Sequence, residues 1–419
     1  MKILIQNSVF YPNVIGGAEH SSWLLSLRLS ERGHRVDAVA TTGVRRGVKD
    51  SFSVRTLDGM SGRIFEAASH GAMDILVEGQ GAASLPRKAL HHAQNVRSRR
   101  WRRLLDDLLE ERRPDVIHTN TIVGMTGAVW EAAGAAKIPV VHTLRDYHLL
   151  CPRTTLLRSD GTECVDAPWP CRVYRRLKRG ATDHVHVVTA PSQFVLQRHL
   201  DHEQFPNARG EVVHNAGPPP VDPPPRRADR DELHLVYLGQ LDAHKGVRLL
   251  LDVLEPWFED STRPPLRVSF AGAGPMESEV RSFCGRWSRR AHFAGFVADA
   301  AKDHFLRDAD ALIVPSIWND NFPRVMLDAF RYALPVIGAR RGGIPEVVEH
   351  ERNGLIVEPT VDDVRVAVER LAGDPDERLR LGARAHEDAR KYQLERQVTH
   401  FEEIYRALVE TGAPSGSNA

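Results

Sequence analysis

Pro315-Ser-Ile-Trp-Asn-Asp-Asn-Phe-Pro-Arg-Val-Met-Leu-Asp-Ala-Phe330, followed shortly by Leu334-Pro-Val-Ile-Gly-Ala-Arg-Arg-Gly-Gly-Ile-Pro-Glu346, holds the densest run of structural signals in the chain. Asn321-Phe322-Pro323 reads as the opening of a helix, because Pro323 suits a first helical position where its missing N–H needs no partner. Gly342-Gly343 before Ile344-Pro345-Glu346 reads as a glycine loop entering a second helix. Helix N-termini carry unpaired N–H groups and partial positive charge, so two of them near one another suit a diphosphate. Asp320 and Asp328 are eight residues apart, a little over two helical turns, and are expected to share one helix face. Carboxylates beside a phosphate site make sense if they hold hydroxyls. A sugar nucleotide supplies both groups.

The same pattern extends upstream. Leu233–Leu238 reads as a strand, Gly239-Gln240-Leu241-Asp242-Ala243-His244-Lys245-Gly246 as its exit loop, and Val247–Leu254 as a helix. Lys245 either meets phosphate or merely caps the turn before that helix. Val268–Gly272 with Gly274-Pro275, and His292 to Val297 with Phe296, repeat the strand-and-glycine theme. Pro218-Pro-Pro-Val-Asp-Pro-Pro-Pro-Arg-Arg227 is a stiff polar linker and marks a domain boundary. On its N-terminal side, Lys2–Gln6, a Gly16-Gly17 loop, a helix through Trp23 and Leu29, and Val36–Thr41 form a βαβ start. Val116 to Asn120 and Ile138 to His148 read as strands ending in polar residues. They deliver His118, Asn120, His142, Arg145 and Asp146 to strand ends, where open α/β sheets bind ligands.

With 419 residues the chain has room for two ordinary domains, and 42% hydrophobic with 26% charged residues describes a globular protein. A net charge of +1 implies no nucleic acid partner, yet residues 1–217 carry +7 and the remainder −6. The short apolar start meets polar residues at position 6, too soon for a signal peptide, and no stretch is long enough to span a membrane. Residues 85–113, rich in arginine, read as an amphipathic helix. Its basic face is either solvated or in peripheral contact with an anionic membrane. Four cysteines suit a reducing cytoplasm. Cys151, Cys164 and Cys171 match no common zinc module, so ordinary thiols are expected, with structural zinc the lesser alternative. Their segment, with Arg172, Arg175, Arg176, Lys178 and Arg179, reads as a long basic loop.

Taken together, these motifs resemble the retaining glycosyltransferases of family 4, also called group 1, which have the GT-B fold. The resemblance runs from Gly16-Gly17 to Asn353-Gly354 and departs at several places, Asn215-Ala216 for the family's Asn-Gly among them. The family's usual glutamate pair is Asp320 and Asp328 here, its arginine is Gln240, and its strand-end histidine is Arg145. It implies an α/β chain of two Rossmann-like, doubly wound domains facing a central cleft. Residues 1–217 would bind the acceptor, 218–231 link, 232–393 bind the donor, 394–410 form a closing helix returning to the first domain, and 411–419 a disordered tail.

The implied activity is transfer of a sugar from a UDP- or GDP-linked donor to a sugar, lipid-linked or small-molecule acceptor, without cofactor or metal. Asp320, Lys245, Arg145 and His118 are the implied catalytic residues. Gly16, Gly17, Gly239, Gln240, Lys245, Gly274, Phe296, Val297, Asn321, Phe322, Pro323, Arg324 and Asp328 are the implied donor contacts. Asn120, His142, Asp146 and Arg153 are acceptor candidates. A cytoplasmic location, peripheral at the inner face of the membrane if the basic half meets lipid, completes the expectation.

Overall fold

The computed structural model describes residues 1–13, 17–42, 51–68, 96–158, 160–222 and 232–411. They divide into two compact units. The first holds Met1–Leu156, Cys164–His214 and the chain from Glu395, and the second holds Leu157–Glu163 and Asn215–Leu394.

In chain order, the first unit runs β1 (Lys2–Gln6), α1 (Gly17–Glu31), β2 (Arg35–Thr41), β3 (Ser53–Arg55), β4 (Ile64–Ala67) and α2 (Arg99–Arg112). It continues β5 (Val116–Thr119), α3 (Ala128–Ala136), β6 (Val140–Thr143), α4 (Trp169–Arg179), β7 (Val187–Ala190), α5 (Gln193–Leu200) and β8 (Arg209–Val212). Its sheet has the order β3-β4-β2-β1-β5-β6-β7-β8, parallel except for β3 against β4. The central strands are buried along their length because helices cover both faces of a parallel sheet. Ser98 caps α2 by accepting from the Trp101 N–H at 3.2 Å, and Trp101, Leu104, Leu105, Leu108 and Leu109 all turn inward. That apolar face is spent on the core, so α2 offers lipid no apolar face. Arg87 and Lys88 lie outside the described residues.

The second unit runs β9 (Leu233–Leu238), α6 (Val247–Glu259), β10 (Leu266–Ala271), α7 (Glu277–Arg286), β11 (Ala291–Gly295), α8 (Asp299–Arg307) and β12 (Ala311–Val314). It continues α9 (Val325–Arg331), β13 (Val336–Ala339), β14 (Gly354–Val357), α10 (Val361–Gly373) and α11 (Pro375–Ala389). Its six parallel strands have the order β11-β10-β9-β12-β13-β14, a doubly wound sheet whose direction of progression reverses between β9 and β12. Leu235, Val268, Phe270 and Trp257 fill one side, and Val236, Leu312, Phe330 and Tyr332 the other.

The last helix, α12 (Leu394–Glu410), belongs to the first unit from Glu395 on. Its Glu402 pairs with Arg32 and His34 at 2.6 Å each, and its Tyr405 hydroxyl meets His118 Nδ1 at 2.6 Å.

Four local expectations need correcting. Asp320 and Asp328 do not share a helix: α9 begins at Val325, so only Asp328 is helical. Pro323 precedes the helix because the Arg324 backbone occupies the cap position, and Pro323 O accepts from the Met326 N–H at 3.2 Å. Gly342-Gly343 lead into only a three-residue 3-10 turn, Ile344–Glu346. The basic segment after Cys164 is α4 rather than loop. Proline at its second position fits the helix start, where an N–H would be unpaired anyway.

Candidate active site

Two loops leave the second sheet where its strand order reverses, one after β9 and one after β12. At such a point neighbouring loops splay to opposite faces and open a crevice at the carboxyl ends of the strands. The β9 loop folds back through a 3-10 turn, Ala243–Lys245, held by the Asp242 side chain accepting from the His244 N–H. The turn closes on Gly246 at φ +78°. A Cβ there would fall 1.9 Å from the Pro315 carbonyl oxygen, so only glycine lets the two loops touch.

That close approach delivers Lys245 to the β12 loop. Its Nζ lies 2.6 Å from Asp320 Oδ2 and 4.6 Å from the centre of the Trp318 ring. Asp320 is 6% exposed and also accepts from Trp318 Nε1 at 3.2 Å. Its backbone carbonyl accepts from the Gly343 N–H at 2.8 Å, while Asn319 Oδ1 accepts from the Gly342 N–H at 3.2 Å. Asn319 is itself held by Glu163 at 3.0 Å, a residue from the short segment that belongs to this unit despite its place in the first half of the chain. The result is one cation, one buried carboxylate and a glycine loop, each fixed by the others.

Asp328 sits one element away on α9, 9% exposed and 2.9 Å from Lys302 Nζ on α8. Burial lowers the Arg324 guanidinium's pKa, with Asp328 opposing the shift. Gly239 ends β9 with its N–H on Ala271 O at 3.0 Å, and Gly274 packs against Leu241. The Gln240 side chain is exposed, Val297 is partly buried, and Phe296 is 78% exposed. Phe322 is buried against Tyr392, and Asn321 and Pro323 are partly buried beside it.

In the first unit the strand ends of β5 and β6 meet. Asn120 Oδ1 accepts from Arg145 Nε at 3.0 Å, and Asn120 Nδ2 donates to Gln6 O at 3.3 Å. Asp146 accepts from the His148 N–H at 2.7 Å, and burial raises its pKa. Lys178, on the inner side of α4, lies 3.1 Å from His148 Nε2, and burial brings its pKa down to about 7. Arg153 is exposed and Gly17 opens α1, whereas Gly16 lies outside the described residues.

The two histidines go elsewhere. His118 is fully buried between Thr143 Oγ1 at 2.7 Å and Tyr405, and desolvation, helped by Arg145, holds its pKa down at about 3. His142 bonds Thr119 at 2.9 Å and stacks on Phe205, with burial again lowering its pKa. Both rings are spent inside the core, so the direct catalytic or acceptor contact expected of His118 and His142 does not follow from their positions. Cys151, Cys164 and Cys171 are free thiols, and no group of three or more His, Cys, Asp or Glu among the described residues is arranged to hold a metal.

Residues 16–216 match the family described as "Glycosyl transferase 4-like domain", and residues 221–388 the family described as "Glycosyl transferases group 1". The chain belongs to the group 1 glycosyltransferases.

This glycosyltransferase is 24% identical to an uncharacterized 42.6 kDa protein in the cps region of Klebsiella pneumoniae, covering 83% of this chain and 87% of that one. It is 27% identical to the D-inositol 3-phosphate glycosyltransferase of Jonesia denitrificans over 71% and 74% of the two chains. Among solved structures it resembles the sucrose-phosphate synthase of Thermosynechococcus elongatus, with a TM-score of 0.70, 16% identity and coverage of 98% and 99%. HepE of Anabaena in complex with UDP gives a TM-score of 0.67 at 17% identity, covering 97% and 100%. These likenesses show the fold, which is GT-B with two Rossmann-like domains.

Several site residues of this glycosyltransferase escaped the sequence reading. Trp318 and Asn319 stood inside the quoted stretch as spacers, yet Trp318 Nε1 donates to Asp320 and Asn319 Oδ1 accepts from the Gly342 N–H of the glycine loop. Lys302 and Glu163 lie outside any motif, and only tertiary packing brings them to Asp328 and Asn319.

Proposed function

We propose that this glycosyltransferase moves a sugar from a nucleoside-diphosphate sugar, UDP- or GDP-linked, to an acceptor hydroxyl with retention of the anomeric configuration. The observation that carries this is Lys245 meeting Asp320 at the reversal point of the second sheet, beside the Gly342-Gly343 loop. A cation fixed there meets the negative charge that develops on a leaving diphosphate, and a prepositioned charge costs no reorganisation when the bond breaks. Asp320 would accept from hydroxyls of the donor sugar and Asp328 from those of the ribose. Gly239, Gln240, Gly274, Phe296 and Val297 would line the nucleoside side, with Asn321, Phe322, Pro323 and Arg324 towards the phosphates. On the first unit, Asn120, Arg145, Asp146 and Arg153 are proposed for the acceptor, and Gly17 for the diphosphate.

In the retaining step the bond from the anomeric carbon to the phosphate oxygen breaks while the acceptor oxygen bonds on the same face. The proton of the acceptor hydroxyl passes to the departing phosphate, so no separate strong base is needed. The reading is supported by HepE structures with UDP and with UDP-glucose, and by a trehalose-6-phosphate structure from E. coli bound with UDP-2-fluoro glucose.

The test is a panel of UDP- and GDP-sugars assayed for nucleoside diphosphate release with and without candidate acceptors, followed by NMR of the product's anomeric proton. Acceptor-dependent release with the donor's configuration kept is expected. Sugar conversion without release would make the protein an epimerase, and binding without turnover would make it a sugar-nucleotide-binding partner.

A further inference from the structure

Helix α4 is built inside out. Tyr174 and Lys178, one turn apart, are its buried residues, while Trp169, Val173 and Leu177 form a stripe at four-residue steps that faces solvent at 69%, 47% and 55% exposure. Apolar residues at that spacing ordinarily mark the side that packs on a core. Val165 just upstream is 75% exposed, so four of the nine exposed large apolar residues among the described residues fall within 13 positions. A single exposed leucine needs no explanation, but a contiguous cluster does.

The charges on the same helix are one-sided. Trp169–Arg179 holds Arg172, Arg175, Arg176, Lys178 and Arg179 and no acid. Arg179 is committed to Glu203, and Arg175 to His202 at 2.8 Å. Arg172 and Arg176 have no carboxylate partner among the described residues. At 100° per residue they flank Trp169 on one side of the exposed arc, with Val173 and Leu177 on the other. Beside them lies an open depression of about 590 Å³, walled by Arg172, Arg175, Arg176 and Arg179 together with Asp183 and Glu203, the latter already paired with Arg179.

An apolar stripe edged by unpaired arginines, with tryptophan at its N-terminal end, complements a surface that is apolar below and anionic above. We propose that α4 docks this protein on an anionic lipid bilayer, with Trp169, Val173 and Leu177 entering the interface and Arg172 and Arg176 meeting headgroup phosphates. The inference goes beyond the transferase reading and does not depend on the donor site.

The experiment is co-sedimentation of the full chain, without sugar nucleotide, with vesicles of phosphatidylcholine alone or of phosphatidylcholine and phosphatidylglycerol at about 7:3. Binding to the anionic vesicles only, reversed by high salt, is expected. Arg172→Glu/Arg176→Glu should weaken the partition at least about tenfold, and Trp169→Ser/Leu177→Ser by on the order of tenfold or more. Both pairs are exposed and should leave the circular dichroism spectrum unchanged.

Failure to bind either vesicle, equal binding to both, or wild-type binding by either variant would overturn the proposal. So would a dimer in light scattering that Trp169→Ser/Leu177→Ser dissolves, which would assign the stripe to a second copy. Retention on immobilised polyglutamate without vesicle binding would assign it to an acidic protein. None of these outcomes touches the sugar-nucleotide assays, so the two readings fail separately.

Discussion

Lys245 is the group whose removal tests the site most directly. Its ammonium is 23% exposed and lies 2.6 Å from a carboxylate that is 8% exposed. Removing one partner of a fully buried pair costs about 3–5 kcal/mol. Here water reaches the lysine, and Trp318 Nε1 still donates to Asp320 in its absence, so Lys245→Met should cost about 2 kcal/mol. Asp320→Asn should cost about 1 kcal/mol, because the lysine can turn to solvent. The double variant should be less damaged than the sum, with a coupling of about 1–2 kcal/mol, since it leaves no orphaned charge. Hydrogen exchange of the β9 and β12 amides reads this locally and avoids assuming that a two-unit chain unfolds in one step.

Function separates the two partners further. Lys245→Met should lower turnover by about 10²–10³ and weaken nucleoside diphosphate binding. Asp320→Asn should also impair transfer while leaving nucleoside diphosphate binding unchanged or tighter, because it frees Nζ for phosphate. A coupling below about 0.3 kcal/mol, or weaker diphosphate binding in Asp320→Asn, would refute this account of the pair.

Two further predictions come from the fold. Gly342 has φ +57°, and a Cβ there would lie 2.1 Å from the Asp320 carbonyl oxygen, so Gly342→Ala must move the loop. It should cost about 1–3 kcal/mol in that loop's local stability and weaken donor binding, measured by hydrogen exchange and calorimetry; unchanged binding would exclude the loop from the site. Stability should also fall as pH drops below the ordinary histidine value of about 6.5. His118 and His199 keep folded pKa values of about 3 and about 4, so the unfolded chain binds protons that the folded one refuses. Each such histidine contributes stability that is present above pH 6.5 and is lost at about 1.4 kcal/mol per unit as pH falls towards its folded pKa. Urea midpoints at pH 7, 6 and 5 measure this, and a flat profile would mean the rings are accessible to protons.

How much was legible depends on distance along the chain. The alternation of apolar strands with glycine exits and amphipathic helices is a local pattern, so the two Rossmann-like units could be read from residues such as Leu233–Leu238 and Val247–Leu254. The placement of Lys245 near a strand end was legible for the same reason. Helix boundaries around Pro323 and Gly342 were less so, because a proline or glycine pair permits a helix start without compelling one.

The family resemblance, the parallel-sheet architecture and the loops that carry the candidate donor site are all legible in local pattern, since each rests on residue types at short fixed spacings. Which charges meet depends instead on packing between residues far apart in the chain. Lys245 reaches Asp320 across 75 positions, and Lys302 reaches Asp328 across 26. The structure also decided that His118 is a core residue: Tyr405 from the final helix covers it, so a strand-end histidine that looks available in sequence is desolvated and held neutral. The orientation of α4 was decided in the same way. Periodicity marks an apolar stripe on a helix, but whether that stripe faces the core or the solvent depends on what the fold packs against the helix's other side.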